Sequence, residues 1–295
     1  MQLTLLKRSN LNVFLKKIPL TLLCVILLTC TAFSQNEDRF INKGRKFMQK
    51  EKYAEAKIEF TNALEINPKN INTLIYRSLI NEQLEEHQES IDDITQVFQL
   101  GYTPPSLYLR RANNYHDLEQ DSNALVDINI FLATDSNSLD GLYIRGVVYF
   151  ALKKYPLSIK DFTNMLNNNL KPRFSTKGLN SIYLTRALTY LEYEKYDKAL
   201  EDIKIVLKVD SNQFQALEYR ATIYLKLEDN QAALKDINRA LYIKPDNTSL
   251  LLTKSEILFE MKDYLNTCIY YNKAIDLGYK PNSDEFKEIK STCNK

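Results

Sequence analysis

The chain has 295 residues, 44% hydrophobic and 26% charged, a composition that excludes a disordered chain and supplies enough apolar side chains for a large core. Six glycines and no tryptophan, against 19 tyrosines and 13 phenylalanines, argue against Gly-rich phosphate loops and for helices packed by mid-sized aromatics. The formal net charge is +2, but Lys7, Arg8, Lys16 and Lys17 face no acid within the first 34 residues; setting that stretch aside leaves 35 basic against 37 acidic side chains, a net of −2, which supplies no basic surplus for a nucleic-acid partner.

Residues 1–34 place the basic Lys16 and Lys17 before an apolar run, Ile18 to Leu28, and close on small and polar residues around Ala32-Phe33-Ser34. That order is expected of an export signal, and the run is shorter than the roughly 20 apolar residues a membrane anchor needs. Three maturation readings stand: cleavage after Ser34; a loose lipobox, Leu27-Leu28-Thr29-Cys30, in which Cys30 is lipidated; and an uncleaved anchor, which the shortness of the run disfavours. All three predict a protein outside the cytoplasm, in the periplasm or beyond it, and the membrane contact expected of the mature chain is a lipid on Cys30.

From Glu37 a unit of 34 residues recurs. With Glu37 as slot 1, the next units start at Ile71, Pro105 and Leu139; the phase slips by seven residues after 172 and resumes at Asn180, Phe214 and Thr248. The predicted repeats are thus 37–70, 71–104, 105–138, 139–172, 180–213, 214–247 and 248–281. Slot 8 holds Gly44, Ser78, Ala112, Gly146, Ala187, Ala221 and Ser255; slot 20 holds Ala56, Ser90, Ala124, Ser158, Ala199, Ala233 and Thr267. Small residues at fixed positions mark a close approach of two helices, and the bulky residue at slot 24, from Phe60 to Tyr271, fills the space between them. Apolar residues spaced three and four apart on either side of a polar break, such as Glu194-Lys195, make each unit a helix-turn-helix hairpin and the fold class all-α. The inserted residues 173–179 either lengthen the turn between hairpins four and five or form a bend or a partner-contacting loop.

Slots 7 and 23 carry a recurring pair of opposite charges: Arg77 and Asp93, Arg111 and Asp127, Arg145 and Asp161, Arg186 and Asp202, Arg220 and Asp236. The two slots lie on different helices of one hairpin, so a shielded bridge between helices is expected, because a buried guanidinium demands a carboxylate. The competing reading is a basic ladder for an acidic ligand.

These slots resemble the tetratricopeptide repeat family, whose 34-residue unit has small residues at slots 8 and 20, an aromatic at slot 11 and a bulky apolar residue at slot 24. The resemblance covers 37–281; Asn81 and Leu258 depart from the aromatic slot 11. It implies a right-handed superhelical solenoid of seven hairpins whose first helices line a concave groove. The groove slots of hairpins three to five then assign partner contacts to Leu109, Asn113 and His116, to Tyr143, Val147 and Phe150, and to Leu184, Leu188 and Leu191. Relatives that grip acidic chaperone tails use Lys and Asn where this chain has Ile41 and Arg45, so that specificity is not expected. An apolar groove suits an amphipathic helix or an extended peptide.

One hairpin cannot bury its apolar face alone, so the last one needs a cap. Residues 282–293, with Phe286 and Ile289 three apart, read as a short closing helix that brings Cys293 towards Cys268 on the second helix of hairpin seven. A disulfide between those two cysteines, or two unpaired buried thiols, are the readings left open. Only two histidines occur, His87 and His116, with no CxxC, HExxH, Walker or GxGxxG pattern. The sequence therefore predicts no catalytic residue, cofactor, metal or small-molecule substrate. A protein-binding scaffold of the cell envelope is expected, with a structural or self-assembling module as the alternative and an enzyme or enzyme accessory subunit as the remote one.

Overall fold

In a computed structural model the described residues are 36–167, 174–280 and 286–293. The export segment with Cys30, and Pro172, Arg173, Pro281 and residues 282–285, lie outside them. The described residues form fifteen helices and no strand, falling into two compact units divided between Phe131 and Leu132. The first unit holds α1 (36–48), α2 (Tyr53–Ile66), α3 (Ile71–Gln83), α4 (His87–Gln99), α5 (Pro105–Asp117) and most of α6 (Asp121–Thr134). The second holds α7 (Leu139–Ala151), α8 (Tyr155–Met165), α9 (Thr176–Glu192), α10 (Tyr196–Val209), α11 (Phe214–Lys226), α12 (Asn230–Ile243), α13 (Thr248–Glu260), α14 (Tyr264–Asp276) and α15 (Lys287–Cys293).

The helix starts follow the repeat. First helices open at slot 1 in α3, α5, α7, α11 and α13, and second helices open at slot 17 from Tyr53 to Tyr264. Side-chain caps fix several of these starts: Asn70 accepts from Thr73 N, Ser138 from Gly141 N, Asp229 from Ala232 N and Asn247 from Leu250 N. Between the two helices of each hairpin, slot 15 takes a left-handed backbone in all seven units, at Glu51, Glu85, Glu119, Lys153, Glu194, Glu228 and Lys262, with φ between 55° and 63°. A charged residue tolerates that conformation at a cost of about 1 kcal/mol, and the reversal it makes returns the second helix against the first.

Within the second unit each helix packs on the next, and the first helices also touch one another, α9 on α11 and α11 on α13. This is the layered stacking that the repeat predicts. Slot 24 is buried throughout, with Phe60, Ile94, Ile128, Phe162, Ile203 and Ile237 fully enclosed and Tyr271 nearly so. Each such side chain stabilises the stack by about 1.5–3 kcal/mol. The glycines of slot 8 have a steric reason: a Cβ on Gly44 would lie 2.7 Å from the Phe60 ring, and one on Gly146 would lie 2.8 Å from the Phe162 ring.

The inserted segment differs from a plain turn. Its residues 176–179 are helical, so α9 begins four residues ahead of slot 1. The cause is local: Ser175 is an N-cap whose hydroxyl accepts from Gly178 N at 3.2 Å. At the other end, Cys268 and Cys293 form a disulfide that ties α15 to α14 with their Cα atoms 5.2 Å apart. Phe286 and Ile289 are buried beside Leu250, Leu251 and Tyr271, so the last hairpin's apolar face is covered.

Candidate functional site

Two polar systems and one cavity compete for the role of a binding site. The first is the arginine ladder. In each of the five pairs, Nε donates to one carboxylate oxygen and Nη2 to the other, from Arg77 to Asp93 at 2.9 and 2.7 Å through to Arg220 and Asp236 at 2.6 and 2.8 Å. The aspartates are 2–6% exposed, whereas the arginine side chains keep 15–28%. Bonding to Asp161 and to Asp236 holds the Arg145 and Arg220 guanidinium groups above their ordinary pKa against the effect of burial. Burial pushes Asp93 and Asp202 up in spite of their arginines, so desolvation costs part of what each bridge contributes.

The ladder also joins successive hairpins. Nη1 of Arg77, Arg111 and Arg186 reaches Thr61, Thr95 and Thr163 at 3.3, 2.9 and 2.9 Å, each threonine standing at slot 25 of the preceding unit. The sequence reading missed this threonine, although its recurrence two places after slot 23 was visible. Arg111 further lies 4.6 Å from the centre of the Phe98 ring. Donors already committed to two helices and a neighbouring hairpin leave little for a ligand.

The second system fills the first-helix side of the first unit. Arg110 donates to Glu82 at 2.8 Å and to Ser78 at 3.2 Å, and Asn114 donates to Glu82 at 3.0 Å. His87 Nδ1 lies 3.1 Å from Asn114 Oδ1 and 3.4 Å from Asp117 Oδ2. Asn114 is 1% exposed, so its bonds make the seam between hairpins two and three polar, whereas Asn81, in the aromatic slot 11 and also 1% exposed, donates at 3.3 Å to Asp93 of its own hairpin. Of the candidate contacts here, Asn113 is exposed, Leu109 is half-buried, and His116 is engaged at 2.6 Å by Asp121 across the hairpin turn.

The cavity lies within the second unit and has a volume of about 730 Å³. Tyr143, Leu184 and Leu188 line it, together with Tyr219 of α11. Leu184 is only 8% exposed and forms the floor, while Leu188, Tyr143 and Tyr219 are half-buried walls. Burial, with the charge of Glu218 adding to it, pushes the Tyr219 phenol up to about 12, so it is a neutral hydrogen-bonding group. Thr176 and Lys177 of the inserted turn, Asn180, Ser181 and Thr185 of α9, and Asp210, Gln213 and Gln215 complete the lining. The cavity thus has an apolar floor and a rim of amides, hydroxyls and the charged Lys177 and Asp210, where the sequence reading expected the middle of the groove to be apolar. The rim was hidden because half of its members sit at hairpin ends or in the inserted turn, outside the groove slots.

Val147, Phe150 and Leu191 are not among the cavity's lining residues, and Leu191 is 8% exposed against its neighbours. Slots 5 and 12 serve the contact between adjacent first helices as much as the open face. Among the described residues no group of three His, Cys, Asp or Glu side chains could hold a metal, and no helix is long and apolar enough to cross a membrane.

Comparison with known proteins matches residues 184–248 and 38–70 to the family described as Tetratricopeptide repeat. DnaJ homolog subfamily C member 7 of Mus musculus is 36% identical over 88 residues, which are 28% of this chain and 18% of that protein, so the chain spans less than a fifth of the relative it matches. A tetratricopeptide repeat protein from Parabacteroides merdae ATCC 43184 superposes with a TM-score of 0.72 at 21% identity, covering 88% of this chain and 100% of that one. YrrB, described as a TPR protein with an unusual peptide-binding site, superposes at 0.54 with 16% identity, covering 64% of this chain and 95% of its own. At such identities the likeness is one of fold. Residues 38–70 and 184–248 therefore match tetratricopeptide repeats, and the helical stack that frames the cavity has the fold of tetratricopeptide repeat proteins.

Proposed function

We propose that the protein is a non-enzymatic scaffold or adaptor of the cell envelope that holds a peptide or helix of another protein against the first-helix side of its second unit. The observation that carries this reading is the cavity between Tyr143, Leu184, Leu188 and Tyr219, whose apolar floor accepts a side chain while amides and hydroxyls on the rim meet a peptide backbone. Repeat proteins of this fold serve protein–protein contact, and the likeness to a protein described as having a peptide-binding site supports the same use here. Affinity capture from envelope extracts, with wild type and a Leu188→Glu variant as parallel baits, tests it. A partner held by the wild type and lost by a variant that melts at the same temperature is the expected result; equal capture by both overturns the reading.

Export rests on the basic, apolar and small-residue order of residues 1–34 and is supported by the Cys268–Cys293 bond, which suits an oxidising compartment. Mass spectrometry of the mature N-terminus decides between a chain starting at Gln35 and one starting at a lipidated Cys30. A self-assembling module is the second reading, favoured by the exposure of Tyr242 (89%), Leu265 (76%) and Ile269 (54%) on α12 and α14. Light scattering separates the two, since a monodisperse monomer is incompatible with self-assembly.

A further inference from the structure

Residues 173–179 are what this chain adds to its own repeat, and the structure puts part of them to use. Residues 176–179 lengthen α9 by one turn ahead of slot 1, behind the Ser175 cap. The other first helices of the second unit, α7, α11 and α13, all open at slot 1. Thr176 and Lys177 begin the added turn, and both line the cavity of about 730 Å³ next to Asn180 and Ser181. Without the insertion α9 would open at Asn180, and these two side chains would be missing from the wall.

The lining also says which form of polypeptide it takes. Six of its twelve residues, Thr176, Asn180, Ser181, Thr185, Gln213 and Gln215, carry a side-chain amide or hydroxyl, while Lys177 and Asp210 add one charge of each sign, so no net charge is selected. Neighbours fix the roles of two of these groups. The Thr185 hydroxyl donates to the Ser181 carbonyl at 3.0 Å, so towards a ligand it can only accept. The Gln215 side-chain oxygen accepts from Gln213 Nε2 at 3.2 Å, which leaves the Gln215 amino group to donate. A donor and an acceptor on one lining suit an extended chain, whose own N–H and C=O groups are open. A helix has closed those groups internally and would cover the amides and hydroxyls without pairing them.

We propose that the inserted turn is a recognition element and that the cavity holds an extended segment of another protein, its backbone pairing with Thr185, Gln215 and the inserted turn while an apolar side chain rests on Leu184 and Leu188. This rests on the protein-binding reading above and chooses between its two ligands, the extended peptide over the helix. The choice follows from hydrogen-bonding groups that a regular repeat would place only in part, since Thr176 and Lys177 belong to the insertion.

The test uses the full chain and a random 12-residue peptide library, followed by titration of single synthetic peptides. Peptides whose binding is lost with Leu188→Glu are those that occupy the cavity. Thr176→Ala combined with Lys177→Ala should weaken their binding about tenfold or more. Both side chains are exposed in the first turn of a helix, where alanine is well accommodated, and an unchanged urea midpoint verifies the fold. In the peptides themselves, α-aminoisobutyrate residues, which favour a helix, should weaken binding to the wild type by a similar factor. Helix-favouring peptides that bind as well or better, or binding indifferent to the loss of Thr176 and Lys177, overturn the proposal and leave the scaffold reading standing. A library yielding no peptide sensitive to Leu188→Glu overturns both.

Discussion

Arg145 on α7 holds Asp161 on α8 in a two-pronged bridge, Nε to Oδ2 at 2.7 Å and Nη2 to Oδ1 at 2.8 Å, with the arginine side chain 23% exposed and the aspartate 2%. The same geometry recurs at every Arg-Asp pair of the repeat, so a single pair reports on the ladder. The inequality in exposure makes the two partners unequal in consequence.

Arg145→Ala strands a buried carboxylate and should cost about 3–5 kcal/mol. Asp161→Ala frees a guanidinium that can turn towards water, and should cost about 1–3 kcal/mol. Urea denaturation followed by circular dichroism checks both values. A ligand ladder instead predicts lost binding from the arginine variant with little change in stability from either.

Small residues at slot 8 make a second, steric prediction. Gly146→Ala drives a methyl group to within 2.8 Å of the Phe162 ring, which is fully buried and has no room to retreat. It should destabilise by about 1–3 kcal/mol. Gly178→Ala is the internal control: its Cβ would lie 3.5 Å from the nearest atoms, inside the first turn of α9, so higher helix propensity should leave stability unchanged or raise it by up to about 1 kcal/mol. Equal thermal melts for the two variants would contradict the packing described for α7 and α8.

The Cys268–Cys293 bond closes a sequence separation of 25 residues. Loop-closure entropy assigns it about 3 kcal/mol. In a stack whose units hold only their neighbours, the loss on reduction should stay local. Hydrogen exchange after treatment with a dithiol should therefore accelerate in α14 and α15 and leave the amides of α9 as they were; uniform acceleration would mean that the cap governs the whole second unit.

The repeat register was legible because slots 8, 20 and 24 answer to one constraint, the distance between two helices, and Ala187, Ala199 and Ile203 satisfy it as Ala221, Ala233 and Ile237 do. The left-handed residue at slot 15 was not legible, since Glu51 or Lys153 carries none of the glycine or asparagine signal that usually marks such a backbone. The cavity lining was legible only in part. Tyr143, Leu184 and Leu188 reach the cavity, yet Thr176, Lys177, Asp210 and Gln213 come from a helix extension and from hairpin ends that a slot pattern does not describe. Glu218 stood at a groove slot in full view, but its burial on α11, with the Ser249 hydroxyl of α13 as its hydrogen-bond donor, is a fact of three dimensions.

Burial of Glu218 pushes its carboxyl above the usual glutamate range and so sets a pH dependence. The folded chain binds the Glu218 proton more tightly than the unfolded chain does, so this group favours folding below the ordinary glutamate pKa and loses that contribution as the pH rises through its elevated folded-state value. At neutral pH the ionised, desolvated carboxylate opposes the fold. Glu218→Gln keeps the shape and can still accept from Ser249 while removing the charge, so it should stabilise the second unit by about 1–3 kcal/mol at pH 7.5. The advantage should shrink steadily on acidification and vanish once both proteins hold a neutral side chain there. Urea midpoints of the two proteins measured from pH 7.5 down to pH 4 give the comparison; a gap of constant size, or a variant weaker at neutral pH, would show that Glu218 is already neutralised by a group within the fold.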